Sequence, residues 1–372
     1  MADAEQAEPS RPRINLPTPG AKRAVVIGAG SFGTAIAVLL VRGGLRTTLQ
    51  TRSEDQANAL VAARENARYL PGVELPKELK VEPRAAGLQR ADYVFLGLPS
   101  AGLAEVIAGL QGAGLGSRAA IVSLSKGLVP PEGTPPTLAL SERFGARRVA
   151  CIGGPAHARE MVHAGAGLVA ASSDEALAEA LANVFTRAGV VCELSNDPVG
   201  VELAGAAKNA AALAAGATEA QGLNAAGAAA GHIFAEVWRY ADARGARPES
   251  MIGLDGAGEP TATTPAHESR NRRAGELLAE GVAAAEIPAR IGQAVEALES
   301  VPLLARALES SGFPSPVTSA LGRLISGQLP LEDWVALVRA TVPPRARWRP
   351  EPGFWRRVRG WFRQRLDRRR AS

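Results

Sequence analysis

Three glycines at fixed spacing constrain this chain more than any other feature. Residues 22–27 (KRAVVI) form a short apolar, β-rich run that stops at Gly28-Ala29-Gly30-Ser31-Phe32-Gly33. An apolar stretch of helical character follows over residues 34–41 and ends at Gly43-Gly44. A Gly-x-Gly-x-x-Gly turn between a strand and a helix suits a dinucleotide. The first glycine permits the tight turn, the second lets backbone approach a pyrophosphate, and the third allows close strand–helix packing. The helix N-terminus adds amide donors and the positive end of its dipole. A glycine turn without ligand is the competing reading of the spacing alone.

β-like runs recur at residues 47–51, 93–98, 119–124, 148–152, 168–171 and 190–194, with helical segments such as 101–110 and 175–187 between several of them. Such alternation predicts an α/β fold with an N-terminal Rossmann-like, doubly wound parallel sheet. The pattern changes at Asn196-Asp197-Pro198, where Asp197 suits a helix N-cap and Pro198 the first helical position. Helical periodicity then runs to about residue 337, which predicts an all-α substrate domain. We therefore expect an N-terminal tail over 1–20, a nucleotide-binding domain over 21–195, a helical catalytic domain over 196–342 and a basic tail over 343–372.

Charge is unevenly placed. Residues 345–370 hold eleven arginines against Glu351 and Asp367, a local +9 in a chain of net +5, so the remainder carries −4. The folded core is thus mildly acidic, and no nucleic-acid partner is expected for it. In a helix Phe354, Val358, Trp361, Phe362 and Leu366 would share one face with arginines opposite, a pattern suited to an anionic membrane surface. RNA, an acidic protein or no partner at all are the other readings of that tail. No run of 18 apolar residues and no signal-peptide core occur, so the expected location is the cytoplasm, with peripheral attachment to the inner face of the membrane through the tail. Cys151 and Cys192 read as buried thiols, and the four histidines show no metal-ligand spacing, so no metal is expected.

Cofactor choice turns on the end of the second strand, where an acidic residue would hold the ribose of NAD. Here the chain reads Leu49-Gln50-Thr51-Arg52-Ser53. Arg52 suits a 2′-phosphate, which favours NADPH (NADP) and leaves NADH (NAD) open; an ordinary solvated arginine is the alternative. Only five of the 42 basic residues are lysines, and two of them sit in motif-like segments. Lys126 lies in Ser125-Lys126-Gly127 just past a strand, and Lys208 lies mid-helix among Ala204, Gly205, Ala211 and Ala212. A lysine, unlike an arginine, can exchange a proton when its pKa is lowered by partial burial. Solvated surface lysines are the alternative for both.

These segments together resemble the bacterial NAD(P)-dependent glycerol-3-phosphate dehydrogenases over about residues 22–340. The matching pieces are residues 27–33 (IGAGSFG), Asn66-x-x-Tyr69-Leu70-Pro71, Ser125-Lys126-Gly127, Gly154-Pro155 with Ala158-Arg159-Glu160, residues 205–209 (GAAKN), residues 269–273 (SRNRR) and residues 292–296 (GQAVE). The resemblance implies reduction of dihydroxyacetone phosphate to sn-glycerol 3-phosphate for phospholipid synthesis. It implies Lys208 as proton donor and acceptor, with Lys126 and Glu259 completing the catalytic group. The small phosphorylated substrate would meet Lys126, Gly154, Ala156, Lys208, Asn209, Glu259, Ser269, Arg270 and Asn271. The cofactor would meet Gly28, Gly30, Ser31, Phe32, Gly33, Arg52, Lys126, Ala158, Arg270, Ala294 and Glu296. A homodimer is the candidate assembly.

The match fails in three places on the substrate side. Ala156-His157 stand where the family has Ser/Thr-Phe, Glu259-Pro260 follow Gly258 where it has aspartate, and Gly231-His232-Ile233 replace Thr-Arg-Gly. A lost hydroxyl contact costs roughly 0.5–1.5 kcal/mol. These departures leave open a paralogue that takes another small phosphorylated ketone, or a membrane-associated NADP-binding regulator. His157 and His232 read as packing or hydrogen-bonding residues.

Overall fold

The computed structural model describes residues 20–83, 88–254, 256 and 269–342. Glu259 and both tails, 1–19 and 343–372, lie outside the described residues. The described residues up to Ala340 belong to one compact unit.

The strands are β1 (Arg23–Ile27), β2 (Arg46–Thr51), β3 (Glu65–Asn66), β4 (Leu70–Glu74), β5 (Lys80–Pro83), β6 (Tyr93–Leu96), β7 (Ala120–Ser123), β8 (Val149–Gly153), β9 (Gly167–Ser172) and β10 (Val191–Ser195). Eight of them form one sheet in the order β10-β9-β8-β7-β6-β1-β2-β5, and β3 and β4 form a separate hairpin. From β5 to β8 every neighbouring pair is parallel. β6 (YVFL) and β7 (AIVS) are buried throughout, as unbroken apolar runs in a sheet covered on both faces should be.

The order reverses at β1, since β2 lies on one side of it and β6 on the other. That reversal opens a crevice at the carboxyl ends of the strands, where ligands bind in such sheets. The sheet is parallel only in its larger part. β9 pairs antiparallel with β8, and β10 follows β9 in parallel. Residues 154–166 between β8 and β9 hold only the six-residue helix Ala158–His163, which turns the chain back.

Ser31–Arg42 forms the helix after β1, and every residue from Gly33 to Val41 is buried. Two helices and the β3–β4 hairpin go beyond the sequence reading: Glu54–Ala63 and Pro136–Phe144 are α-helical, and the predicted helix at 101–110 is a 3-10 turn followed by Leu103–Gly109. Cys151 is buried in β8 as expected, whereas Cys192 on edge strand β10 is only partly covered. What cover it has still pushes the thiol up to about 12.

The sheet ends at Ser195, and Pro198–Thr218 begins a 21-residue helix. Its N-cap is Asp197, whose Oδ1 accepts from the Gly200 amide at 2.9 Å, with proline in the first turn. Helices Leu223–Asp242, Arg270–Ala279 and Glu296–Ser310 pack against it, and Pro316–Ile325 and Leu331–Ala340 complete the layer. The Arg270–Ala279 and Pro198–Thr218 helices meet backbone to backbone. A Cβ at Gly275 would collide with the Leu213 carbonyl oxygen, and one at Gly216 with that of Arg272. With aromatics at 4% of the chain, small residues set the interhelical spacing here.

Two buried glutamates cap helices from a distance. Glu202 accepts from the Thr137 amide and hydroxyl, and Glu236 accepts from the amides of Val317 and Thr318 and the Thr318 hydroxyl. Each carboxylate satisfies first-turn donors and meets the positive dipole end of the Pro136–Phe144 or Pro316–Ile325 helix.

Candidate active site

The glycine loop is built as its spacing predicts. Gly28 has φ +112°, and a Cβ there would collide with the Gly97 carbonyl oxygen. A Cβ at Gly33 would collide with the Gly28 carbonyl oxygen, whereas one at Gly30 would meet nothing within 4 Å. The Gly28 amide donates to Gln50 and the Gly97 amide to Ile27, which ties the loop to the ends of β2 and β6. Gly30 caps the Ser31–Arg42 helix without a side chain, so the first-turn amides face the crevice beside open space. This is a cradle that fits a pyrophosphate.

Arg52 follows β2, exposed, with no partner for its guanidinium among the described residues. The Ser53 hydroxyl accepts from Gln56 as the cap of the next helix, and Gln56 Oε1 accepts from the Arg52 amide. The turn is thereby fixed while the arginine side chain extends from it. Glycine loop, Arg52, Lys126 and Gly154 all follow parallel strands, so all lie at one edge of the sheet.

Lys126 and Gly154 come together directly, as Lys126 Nζ donates to the Gly154 carbonyl at 3.1 Å. The same ammonium lies 6.0 Å from the centroid of the Phe32 ring. The helix carrying Lys208 passes beneath, close enough that a Cβ at Gly205 would touch Lys126 Cβ at 3.6 Å. Lys208 itself is 8% exposed and Asn209 2%.

A hydrogen-bonded chain then joins four segments. The Lys126 amide donates to Glu296 Oε1 at 3.2 Å, and Asn209 Nδ2 donates to Glu296 Oε2 at 3.3 Å. Asn209 Oδ1 accepts from Asn271 Nδ2 at 2.8 Å, and Asn271 Oδ1 accepts from the Ala297 amide at 3.1 Å. Arg270 donates to the Ala294 carbonyl at 3.0 Å. Ser269 caps the Arg270–Ala279 helix by accepting from Arg272, so its hydroxyl has a local structural task.

Glu296 has some surface open to the cleft but lies deep in the protein. Burial pushes its carboxyl above the ordinary range, opposed by the charges of Lys126, Arg270 and Lys208. The site therefore holds three cations around one carboxylate, an arrangement suited to a dianionic phosphate ester and to proton transfer at an adjacent oxygen. Ala156 and Ala158 pack on the sheet core beside Gly154. The described residues hold no cluster of metal-ligating side chains.

Sequence reasoning missed how these residues support one another. Asn209 and Asn271 stand far apart in sequence, and only the Gly216–Gly275 crossing brings their helices close enough to bond. In the sequence Asn66 stands out only as part of a motif; in the structure its Nδ2 donates to the Ala29 carbonyl and the Thr34 hydroxyl.

Residues 23–178 match the family described as NAD-dependent glycerol-3-phosphate dehydrogenase N-terminus, and residues 197–336 match its C-terminus. The chain is 37% identical over 310 residues to the glycerol-3-phosphate dehydrogenase [NAD(P)+] of Deinococcus radiodurans, covering 82% of this chain and 90% of that protein. It is 38% identical over 307 residues to the enzyme of that name from Thermus thermophilus, covering 81% and 93%. The crystal structure of glycerol-3-phosphate dehydrogenase from Coxiella burnetii superposes with a TM-score of 0.80 at 28% identity, covering 87% of this chain and all of that one. The chain belongs to the NAD-dependent glycerol-3-phosphate dehydrogenase family.

Proposed function

We propose that this protein reduces dihydroxyacetone phosphate to sn-glycerol 3-phosphate, with NADPH as its preferred cofactor, to supply phospholipid synthesis. The observation that carries this reading is the convergence of Lys126, Lys208 and Arg270 on Glu296 at the edge of the sheet that bears the glycine loop. In this reading residues 21–195 hold the dinucleotide and residues 196–342 the substrate.

When bound, the reduced nicotinamide supplies the hydride to the substrate carbonyl. Lys208 gives a proton to the oxygen on which negative charge develops, so that carbonyl, hydride and proton sum to the alcohol. Arg270 and Asn271 hold the phosphate end. Lys126, braced on the Gly154 carbonyl, would contact cofactor and substrate and offset the developing charge from that fixed position. Gly30, Ser31, Phe32, Gly33 and Ala158 would line the cofactor cleft with Arg270, Ala294 and Glu296. Arg52 would take the 2′-phosphate through charge-assisted hydrogen bonds. Ala156, packed on the sheet core, leaves the three cations in place.

The described residues contain no helix long and apolar enough to cross a membrane. A cytoplasmic enzyme drawn to the anionic inner face by its basic tail is the location that fits this role. The test is oxidation of NADPH by the purified chain with and without dihydroxyacetone phosphate. Substrate-dependent oxidation supports the reading, and its absence, or equal activity with an unphosphorylated ketone, overturns it.

A further inference from the structure

Asn66 sits in β3 at 2% exposure, and its side chain reaches the glycine loop. Its Nδ2 donates to the Ala29 carbonyl at 3.0 Å and to Thr34 Oγ1 at 2.8 Å. Ala29 lies between the first two glycines of the loop, and Thr34 in the first turn of the helix after it. A trans peptide points its C=O and its N–H in opposite directions. Holding the Ala29 carbonyl toward Asn66 therefore turns the Gly30 amide away from it, at a glycine where an added Cβ would meet nothing within 4 Å.

The support behind Asn66 is itself fixed. Arg64 adopts a left-handed conformation at φ +49°, and its guanidinium donates to the carbonyls of Leu75, Pro76 and Leu79. Leu70, Val73, Leu75 and Leu79 are buried in the core beneath the sheet. The hairpin is thus a braced platform with one buried polar side chain aimed at the loop. An unmade bond at a buried site is costly, so the asparagine holds the loop conformation strongly.

We propose that Asn66 is a positioning residue for the dinucleotide: it orients the Ala29–Gly30 peptide so that the Gly30 amide faces the pyrophosphate. It touches neither cofactor nor substrate, and it leaves the ribose end at Arg52 and the lysine group untouched. The inference rests on the dinucleotide reading of the loop, and wild-type binding of NADPH tests that reading separately.

The experiment compares wild type, Asn66→Ala and Thr34→Val, the last being isosteric and removing only the second anchor. KM is measured for NADPH and for dihydroxyacetone phosphate, together with kcat at saturation. The inhibition constant of adenosine 2′-phosphate, which lacks the pyrophosphate, is measured against NADPH. For Asn66→Ala the expected result is a rise in the NADPH KM of at least about tenfold. The KM for dihydroxyacetone phosphate, the kcat and the adenosine 2′-phosphate constant should stay within about twofold, since none of these needs the Gly30 amide re-aimed. Thr34→Val should show the same pattern more weakly, and it decides the matter if Asn66→Ala does not fold. An unchanged NADPH KM overturns the proposal. So does an equal weakening of NADPH and adenosine 2′-phosphate, which would mean that Asn66 merely holds the domain together. Wild-type protein that fails to bind NADPH would overturn the cofactor reading instead.

Discussion

The backbone amide of Lys126, just past the sheet strand β7, donates to Oε1 of Glu296, 170 residues later at the start of a helix in the other half of the chain. The second oxygen of the same carboxylate accepts from Asn209, next to Lys208. One carboxylate thus sets the separation of the two lysines. Glu296→Ala should lower kcat/KM at least about tenfold, because a shift of about 1 Å in a reacting group can cost about a hundredfold in rate. Steady-state kinetics at saturating NADPH check this; wild-type kcat/KM would show that Glu296 positions nothing.

The same residue gives a pH signature. Burial raises the Glu296 carboxyl above its ordinary value of 4.5. A raised folded-state value means that this group's stabilising contribution is complete below about pH 4.5 and is lost as pH rises through the folded value. Glu296→Gln does not titrate, so its melting temperature relative to wild type should climb with pH above that point and then level off. A difference that is flat from pH 4 to 8, or falls, contradicts the assignment.

Lys208→Met should abolish turnover while NADPH binding stays within a few-fold of wild type. General acid–base transfer contributes roughly 10²–10⁴ in rate. Retention of more than about a tenth of wild-type kcat would remove Lys208 from the proton-transfer role.

Arg52→Ala should raise the KM for NADPH and leave that for NADH nearly unchanged. Loss of a charge-assisted contact of about 1.5–3 kcal/mol moves the ratio roughly 10- to 100-fold. If both cofactors weaken equally, Arg52 does not read the 2′-phosphate.

Removing residues 345–372 should leave kcat and melting temperature of the enzyme in solution almost unchanged, since the compact unit closes at Ala340. It should abolish co-sedimentation with vesicles of anionic lipid. Binding of the full chain should weaken as salt rises, each arginine contributing about 1 kcal/mol through a screened attraction. Full-length protein left in the supernatant with every vesicle would exclude the membrane role.

What could be read from the sequence was whatever rests on local order. The glycine loop announces itself through the strand before it and the helix after it, and Asp197-Pro198 marks a helix start by capping chemistry alone. The reversal of β9 was not legible, because an apolar run such as GLVAAS carries no mark of strand direction. The β3–β4 hairpin escaped because β3 has two residues and its one decisive feature is the tertiary bond of Asn66. Glu202 and Glu236 read as ordinary helix glutamates, although each caps a helix 65 and more than 80 residues away. Lys126, Lys208, Arg270 and Asn271 could be named from motifs, but Glu296 as their common partner depends on two packed halves.

The bare contact between the Arg270–Ala279 and Pro198–Thr218 helices, at Gly275 and Gly216, has an engineering consequence. Replacing helical glycine by alanine usually stabilises a protein, and in an open position such as Gly227 it should do so here by about 0.5–1 kcal/mol. At Gly275 the same added methyl would wedge two main chains apart and lengthen the Asn209–Asn271 bond with them. A library screened only for heat resistance would therefore find its gains on the outer helices, and the joint that carries the lysine would stay closed to it.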